Sequence, residues 1–267
     1  MRLAVTADLH LPITPAAKIA TLAQEIADFV PDALVVAGDV GESVASIEGC
    51  LEILKQAGCP VFVLLGNHDL WARDAPSRRL WEEVLPDVVS RCGCVWLEAD
   101  ALVRRGVAVT GTIAWYDYSG ADPTVQATRE TFAREKGHYN NDAFLINWPW
   151  SDPEFAERVA GPFLAKLDQL EADPAVQQII VVTHVPVLEC QMSRQPNDRD
   201  WAFSNAYFGN ITLGQKIAAR RKVTHVISGH THVGRAARLP LPDGRTIEAR
   251  VLDSHYERPV WMGITTT

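Results

Sequence analysis

The stretch at residues 61–69 constrains the fold of this chain more than any other feature of its sequence. Its first part, residues 61–65, reads Val-Phe-Val-Leu-Leu, a continuous apolar run that is typical of a strand buried on both faces of a sheet. The run ends in Gly66-Asn67-His68-Asp69, where three polar side chains follow a glycine. Ligands of open α/β sheets bind beyond the carboxyl ends of the strands. Taken alone, the ending would equally fit a plain turn, since Gly, Asn and Asp are common turn residues.

Strands and helices alternate through the chain before this point. Apolar runs at residues 2–7 and 33–37 predict two more core strands, and the apolar spacing between them predicts a helix. A second helix is predicted over residues 43–56, with Gly58 as its stop. The resulting β-α-β-α-β order predicts a parallel sheet covered by helices.

The later part of the chain is predicted to be more mixed. We expect three short strands around residues 95–110 to pair side by side, and the chain to end in an antiparallel hairpin turning at residues 242–244. Further helices and parallel strands are predicted at residues 77–89, 152–171, 179–183, 213–221 and 223–227. Residues 1–267 form a single domain in this interpretation. Its irregular, aromatic-rich insertion at about residues 115–150 is either a cap over the site or an additional packed subdomain.

Polar residues of one kind follow five separate core strands. The strand ends are Asp8-x-His10, Gly38-Asp39, Gly66-Asn67-His68-Asp69, Thr183-His184 and Gly229-His230-x-His232. Each has a local explanation by itself, but five such endings together indicate a common site. If the chain is extended there, residues two apart face the same way, so each Asp-x-His or His-x-His pair would converge on one ion.

The donor set is carboxylate, imidazole and amide, without thiolate. This set of donors suits Mn, Fe or Zn better than Ca or a thiolate-bound zinc. It also contains more ligands than one tetrahedral ion can bind. Two ions about 3.5–4 Å apart that share a bridging carboxylate would use all of these groups.

In this order, the five motifs resemble those of the calcineurin-like metallophosphoesterase superfamily, over residues 8 to 232. The resemblance implies a four-layer α/β/β/α sandwich of two mixed sheets, with two divalent transition-metal ions at the strand ends; Mn²⁺ is expected, with Fe or Zn as alternatives. It also implies the metal ligands. Asp8, His10, Asp39 and His232 would hold one ion, and Asp39, Asn67, His184 and His230 the other, with Asp39 as the bridge.

The implied reaction is hydrolysis of a phosphate ester by a metal-bridged hydroxide, on a small molecule or nucleotide. His68 would not bind metal but would donate a proton to the leaving oxygen. Either Asp69 or Glu42 would orient its other ring nitrogen. Glu42 is a departure, because many relatives have Asp there; its other explanation is a glutamate favoured at a helix N-terminus. Arg73, Arg194 and Arg199 are candidates for gripping the phosphate, or plain surface residues.

The composition of the chain limits which partners and which cellular location are expected. A net charge of −8 argues against binding long nucleic acids, and five cysteines without a Cys-x-x-Cys pair indicate reduced thiols and a cytoplasmic location. No apolar segment reaches the length of a membrane span. The alternatives are a nuclease of the same superfamily and a non-catalytic scaffold. The sequence leaves open monoester versus diester and the oligomeric state.

Overall fold

Two mixed β-sheets lie back to back at the centre of the molecule, in a computed structural model that describes residues 1–195 and 197–266. The strands are β1 (Arg2–Thr6), β2 (Ala33–Ala37), β3 (Val61–Leu64), β4 (Val95–Trp96), β5 (Leu102–Arg104), β6 (Val107–Thr112), β7 (Gln178–Thr183), β8 (Val223–Ser228), β9 (Arg235–Pro240), β10 (Thr246–Val251) and β11 (Trp261–Thr265). The first sheet has the order β11-β1-β2-β3-β4, and the second β5-β6-β7-β8-β10-β9.

Nine α-helices occur in the described part of the chain, and several of them pack on the outer faces of the two sheets. They are α1 (Ala16–Asp28), α2 (Val44–Leu54), α3 (Ser77–Arg79), α4 (Leu85–Arg91), α5 (Arg129–Tyr139), α6 (Asp142–Leu145), α7 (Asp152–Ala172), α8 (Arg199–Ser204) and α9 (Ile211–Ala218). A π-helical stretch, Leu80–Val84, joins α3 to α4.

The central strands are buried on both faces, as their continuous apolar runs predict. Along β1, Leu3 and Val5 belong to the core between the sheets, whereas Ala4 belongs to the core under the helices. Strands β1, β2 and β3 are parallel neighbours, as are β6, β7 and β8. The four-layer α/β/β/α sandwich is therefore confirmed.

Of the three short strands at residues 95–110, only two pair side by side, so the prediction is right for β5 and β6 and wrong for β4. Strand β4 adds to the first sheet beside β3, whereas β5 and β6 form an antiparallel pair in the second sheet. The chain thus passes from one sheet to the other between residues 96 and 102. Local sequence shows three short strands but does not show which larger sheet each one joins.

Several elements were not predicted. Helices α5 and α6 lie inside the segment at residues 115–150, and α8 lies in the loop at 185–210. Strand β11 returns to pair antiparallel with β1. The predicted C-terminal hairpin is present as β9 and β10. In the described residues no helix is both long and apolar enough to cross a bilayer, and the five cysteines are free thiols.

Candidate metal centre

The seven predicted metal ligands lie together beyond the carboxyl ends of five parallel strands. Asp8 and His10 follow β1, Asp39 follows β2 and Asn67 follows β3 of the first sheet. His184 follows β7 of the second sheet, and His230 and His232 follow β8. Potential ligand atoms of Asp8, His10 and His232 lie within 4.8 Å of one another, as do those of Asp8, Asp39 and His184. The two sheets therefore deliver their loops to one place, which requires the sandwich and not either sheet alone.

On one side of this cluster, three acceptor atoms lie close together, and none of them carries a hydrogen that it could donate to another. His184 donates its Nδ1–H to the carbonyl of Ala37 (2.9 Å), and His230 donates its Nε2–H to the carbonyl of Tyr207 (3.0 Å). His184 Nε2 and His230 Nδ1 are therefore lone pairs, 3.2 Å apart. Asn67 Oδ1 lies 3.1 and 3.0 Å from these two nitrogens. Such a group repels itself unless a cation lies between its members, so it fits a metal ion.

The histidines of this group are neutral because of where they lie. Burial, and after it the neighbouring His230, holds the pKa of His184 well below its ordinary value. Burial likewise lowers the pKa of His230. Neither ring therefore offers a second proton that would satisfy the other's lone pair.

A second group, on the other side of the cluster, also contains buried acceptor atoms that lack a hydrogen-bond donor. Asp8 Oδ2 and His10 Nε2 are buried and have no hydrogen-bond partner among the described residues. His10 donates its Nδ1–H to Glu42 Oε1 (2.9 Å), and His232 donates its Nδ1–H to the carbonyl of Ser254 (2.6 Å). Each ring therefore turns its Nε2 lone pair toward the cluster, which is the arrangement of a metal-binding histidine held by an outer hydrogen bond.

Asp39 lies between the two groups. Its Oδ2 is 3.4 Å from His10 Nε2, and its Oδ1 is 3.5 Å from His184 Nε2. Burial, and after it the negative charges of Asp69 and Asp8, raises the pKa of Asp39 well above its ordinary value. Cations on both sides would stabilise the ionised form. This position is the one that a bridging carboxylate requires.

These side chains do not converge because the chain is extended, so that prediction is wrong. Asp8, His10, His230 and His232 all have positive φ, at 56°, 45°, 73° and 54°. The strands end before them, and left-handed turns aim the side chains. Backbone of this kind costs about 1–3 kcal/mol per residue and concentrates at functional sites.

Gly66 is needed for close approach and not for a sharp turn. Its φ lies outside the left-handed region, but a Cβ there would collide with the Asp39 carboxylate and with His184. Any side chain at position 66 would therefore push the loop carrying Asn67 away from the loop carrying Asp39.

His68 lies on the open side of the cluster, against Glu42. Its Nδ1 donates to Glu42 Oε1 (3.1 Å), and its ring stacks on Trp71 with centroids 3.6 Å apart. Burial disfavours the charged Glu42 carboxyl, but hydrogen bonds from His10 and His68 outweigh it and hold the pKa of Glu42 well below its ordinary value. Arg73 Nη1 binds the other Glu42 oxygen at 2.6 Å. Of the two carboxylates offered by the sequence, Glu42 is the one in contact with the imidazole.

Asp69 holds the loops instead. Its Oδ1 accepts from the backbone N–H groups of Val40 (2.9 Å) and Gly41 (3.1 Å), and its Oδ2 from that of Gly66 (2.8 Å). Burial raises the pKa of Asp69 to about 7, although the three backbone hydrogen bonds act to lower it. The carboxylate ties the loop after β2 to the loop after β3.

Asp142 is a site residue that the sequence reasoning missed. It is the first residue of α6 and is buried, and its Oδ1 accepts from Asn67 Nδ2 at 2.9 Å. Nothing in its local sequence marks it, because a single aspartate in an irregular stretch has no pattern. Only the tertiary structure brings it to the metal cluster.

A cavity of about 440 Å³ opens over the cluster. It is lined by His68, Trp71, Arg73, Tyr139, Phe208 and Tyr256, together with several of the predicted ligands. Arg73 is the one arginine or lysine among the described lining residues. A second cavity, of about 630 Å³, lies between the inserted segment and α8 and contains Arg199; Tyr139 lines both. The inserted segment is therefore a wall of the site as well as a packed unit.

Arg194, the remaining candidate for binding the phosphate, lies elsewhere, as do two histidines outside the five motifs. Arg194 is bound to Glu189 (2.6 Å) and to the carbonyl of Gly120 (2.7 Å). His138 is exposed beside Glu135, and His225 contacts Thr224.

The chain is similar in sequence to known proteins. The sequence model of calcineurin-like phosphoesterases matches residues 1–234. The chain is 28% identical over 224 residues to the [acyl-carrier-protein] phosphodiesterase PptH of Mycobacterium tuberculosis, a match that covers 76% of this chain and 64% of that protein. The chain thus spans less than two thirds of that relative.

Solved structures show the same fold. The crystal structure of phosphopantetheinyl hydrolase PptH from M. tuberculosis superposes with a TM-score of 0.68 at 23% identity, covering 92% of this chain and 87% of that one. A dimetal phosphatase from Danio rerio gives a TM-score of 0.55 at 13% identity, covering 93% and 86%.

Proposed function

The chain belongs to the calcineurin-like phosphoesterase family, and we propose that it is a dimetal-dependent hydrolase of phosphodiesters. The observation that carries the proposal is the cluster of buried lone-pair atoms, in two groups on either side of Asp39. Asp8, His10, Asp39 and His232 would hold one divalent ion, and Asp39, Asn67, His184 and His230 the other. Mn²⁺ is the expected metal, with Fe or Zn as alternatives, since the donors are oxygen and imidazole nitrogen.

The bound ions would supply a nucleophile from water at neutral pH and offset the negative charge of the phosphoryl oxygens. The side chains of the protein supply the general acid and hold it in place. His68, held by Glu42 through Nδ1, presents Nε2 to the cavity, where it donates a proton to the leaving oxygen. Trp71 fixes the plane of the ring by stacking.

A diester suits the cavity better than a monoester. A monoester dianion carries one more charge, yet Arg73 is the one arginine or lysine of the described lining and is already paired with Glu42. Two cavities that share Tyr139 also offer room for two substituents on phosphorus. The likeness to a named phosphodiesterase supports the same class. The substrate is then a small phosphorylated molecule or a phosphopantetheinyl-type diester on a carrier protein.

The test is the leaving-group dependence of the variant His68→Ala. Nitrophenolate leaves without protonation, whereas an alkoxide needs a proton. The variant should therefore lose about 10²–10⁴-fold in kcat on an alkyl phosphodiester and much less on bis-p-nitrophenyl phosphate. Equal losses on both substrates would refute the general-acid role. The metal content of the variant should match that of the wild type.

A substrate panel separates the classes. We expect bis-p-nitrophenyl phosphate to be cleaved with higher kcat/KM than p-nitrophenyl phosphate in the presence of Mn²⁺. The reverse ranking would make the enzyme a monoesterase, and cleavage of single-stranded DNA as the best substrate would favour a nuclease. Free thiols support a cytoplasmic location for this reaction.

A further inference from the structure

Asp142 fixes which end of the Asn67 amide faces the cluster. A carboxylate can only accept, so its contact at 2.9 Å is with the amide NH₂, and the amide oxygen is left toward His184 and His230. A flipped amide would instead donate its NH₂ hydrogens to the two ring lone pairs. That alternative would satisfy the metal-free protein and remove the oxygen ligand.

The same carboxylate also binds Trp71, the residue whose ring stacks on His68. Asp142 Oδ1 accepts a second hydrogen bond, from Trp71 Nε1 at 2.7 Å, and the Trp71 ring stacks on His68. Asp142 Oδ2 accepts from the hydroxyl of Tyr116 at 2.8 Å. One buried side chain from the inserted segment thus contacts a predicted ligand and the support of the predicted acid.

The inserted segment is anchored where Asp142 emerges. The carbonyl of Leu145, at the end of α6, accepts from the N–H of Ala72 at 2.7 Å. Asn147 and Ser77 exchange two hydrogen bonds, of 2.7 and 3.1 Å. The position of Asp142 is therefore fixed relative to the loop after β3.

We infer that Asp142 is a positioning residue, which sets the Asn67 amide for metal binding and so makes one of the two metal sites depend on the inserted segment. The inference rests on the proposed function, because it takes Asn67 as a ligand. It assigns to the insertion a role beyond forming a wall of the cavity.

The test is calorimetric titration of metal-free protein with MnCl₂. Wild type should bind two ions. Asp142→Ala should weaken one of them by about 10–100-fold, the range for loss of an outer hydrogen-bond partner, and change the other less than about threefold. Tyr116→Phe is the matched control, because it removes a partner of the same carboxylate without touching Asn67, and it should bind both ions as wild type does.

A double-mutant cycle shows whether the effect passes through Asn67. In the Asn67→Ala background, Asp142→Ala should cause no further loss of metal affinity, since there is no amide left to orient. An equal further loss, or equal weakening of both ions, would overturn the inference. If Asp142→Ala does not fold, Asp142→Glu keeps the charge but moves the oxygens, and the same one-site loss is expected; unchanged affinity would count against the inference. A wild type that binds no Mn²⁺ would instead refute the proposed function.

Discussion

At the scale of single residues, the candidate metal centre is built on unusual backbone conformations. Five of the seven predicted ligands, Asp8, His10, Asp39, His230 and His232, occupy left-handed backbone, although none of them is glycine. The surrounding hydrogen bonds make this possible: Asp8 Oδ1, for example, accepts from the N–H of His230 at 2.9 Å. The predicted ligands are thus held in strained conformations by contacts between loops of different sheets.

Asp39 and Asp8 give a matched pair of ligand variants. Asp39→Asn should weaken both ions, by at least about tenfold each, because its two oxygens face the two groups. Asp8→Asn should weaken chiefly the ion that His10 and His232 would hold, because the proposed ligand set assigns Asp8 to that ion alone. Mn²⁺ titration of both metal-free variants measures this. If Asp39→Asn affected one ion only, the bridging role would be wrong.

At the scale of elements, the inserted segment is joined to the rest by buried polar contacts as well as by aromatic packing. Trp115 and Tyr116 are fully buried in the core under the helices. Asp152, the first residue of α7, accepts from Trp115 Nε1 (2.8 Å) and the Tyr118 hydroxyl (2.6 Å), and pairs with the buried Lys136 (2.7 Å). A carboxylate with three buried donors around it is costly to remove.

Asp152→Ala should therefore destabilise the protein by about 3–5 kcal/mol, because it leaves the buried Lys136 ammonium unpaired. Urea unfolding followed by circular dichroism measures the change. Asp87→Ala is the control, since Asp87 pairs with Arg91 on the exposed face of α4 and should have little effect. Unlike Asp142→Ala, Asp152→Ala should leave Mn²⁺ affinity unchanged in the folded protein. A selective loss of one ion would mean that the two carboxylates act together.

At the scale of the whole molecule, the core between the two sheets is independent of the metal cluster. It consists of apolar strand residues such as Val35, Val109 and Ile180, whereas the predicted ligands lie in loops beyond the strands. The sandwich should therefore fold without metal, and the metal should add stability by binding the native state.

Chelation should lower the melting temperature without abolishing the fold. An ion present at 100 times its Kd stabilises the native state by about 2.7 kcal/mol, so the melting temperature should rise with MnCl₂ concentration. Far-ultraviolet circular dichroism of chelated protein at 25 °C should remain that of the native α/β fold. An unfolded chelated protein would show that the cluster, and not the core, sets the fold.

Local sequence patterns predicted the parallel core strands and the polar residues that follow them, and the resemblance of those motifs to a known family implied the sandwich. Buried strands and their polar endings are local patterns, and those of residues 61–69 can be recognised without knowing what lies nearby. Tertiary structure alone decided three things: which sheet β4 joins, that Glu42 and not Asp69 contacts His68, and that Asp142 holds Asn67. Asp142 and Asn67 are 75 positions apart. Contacts of this kind depend on how separate elements pack, and periodicity within one segment carries no record of them.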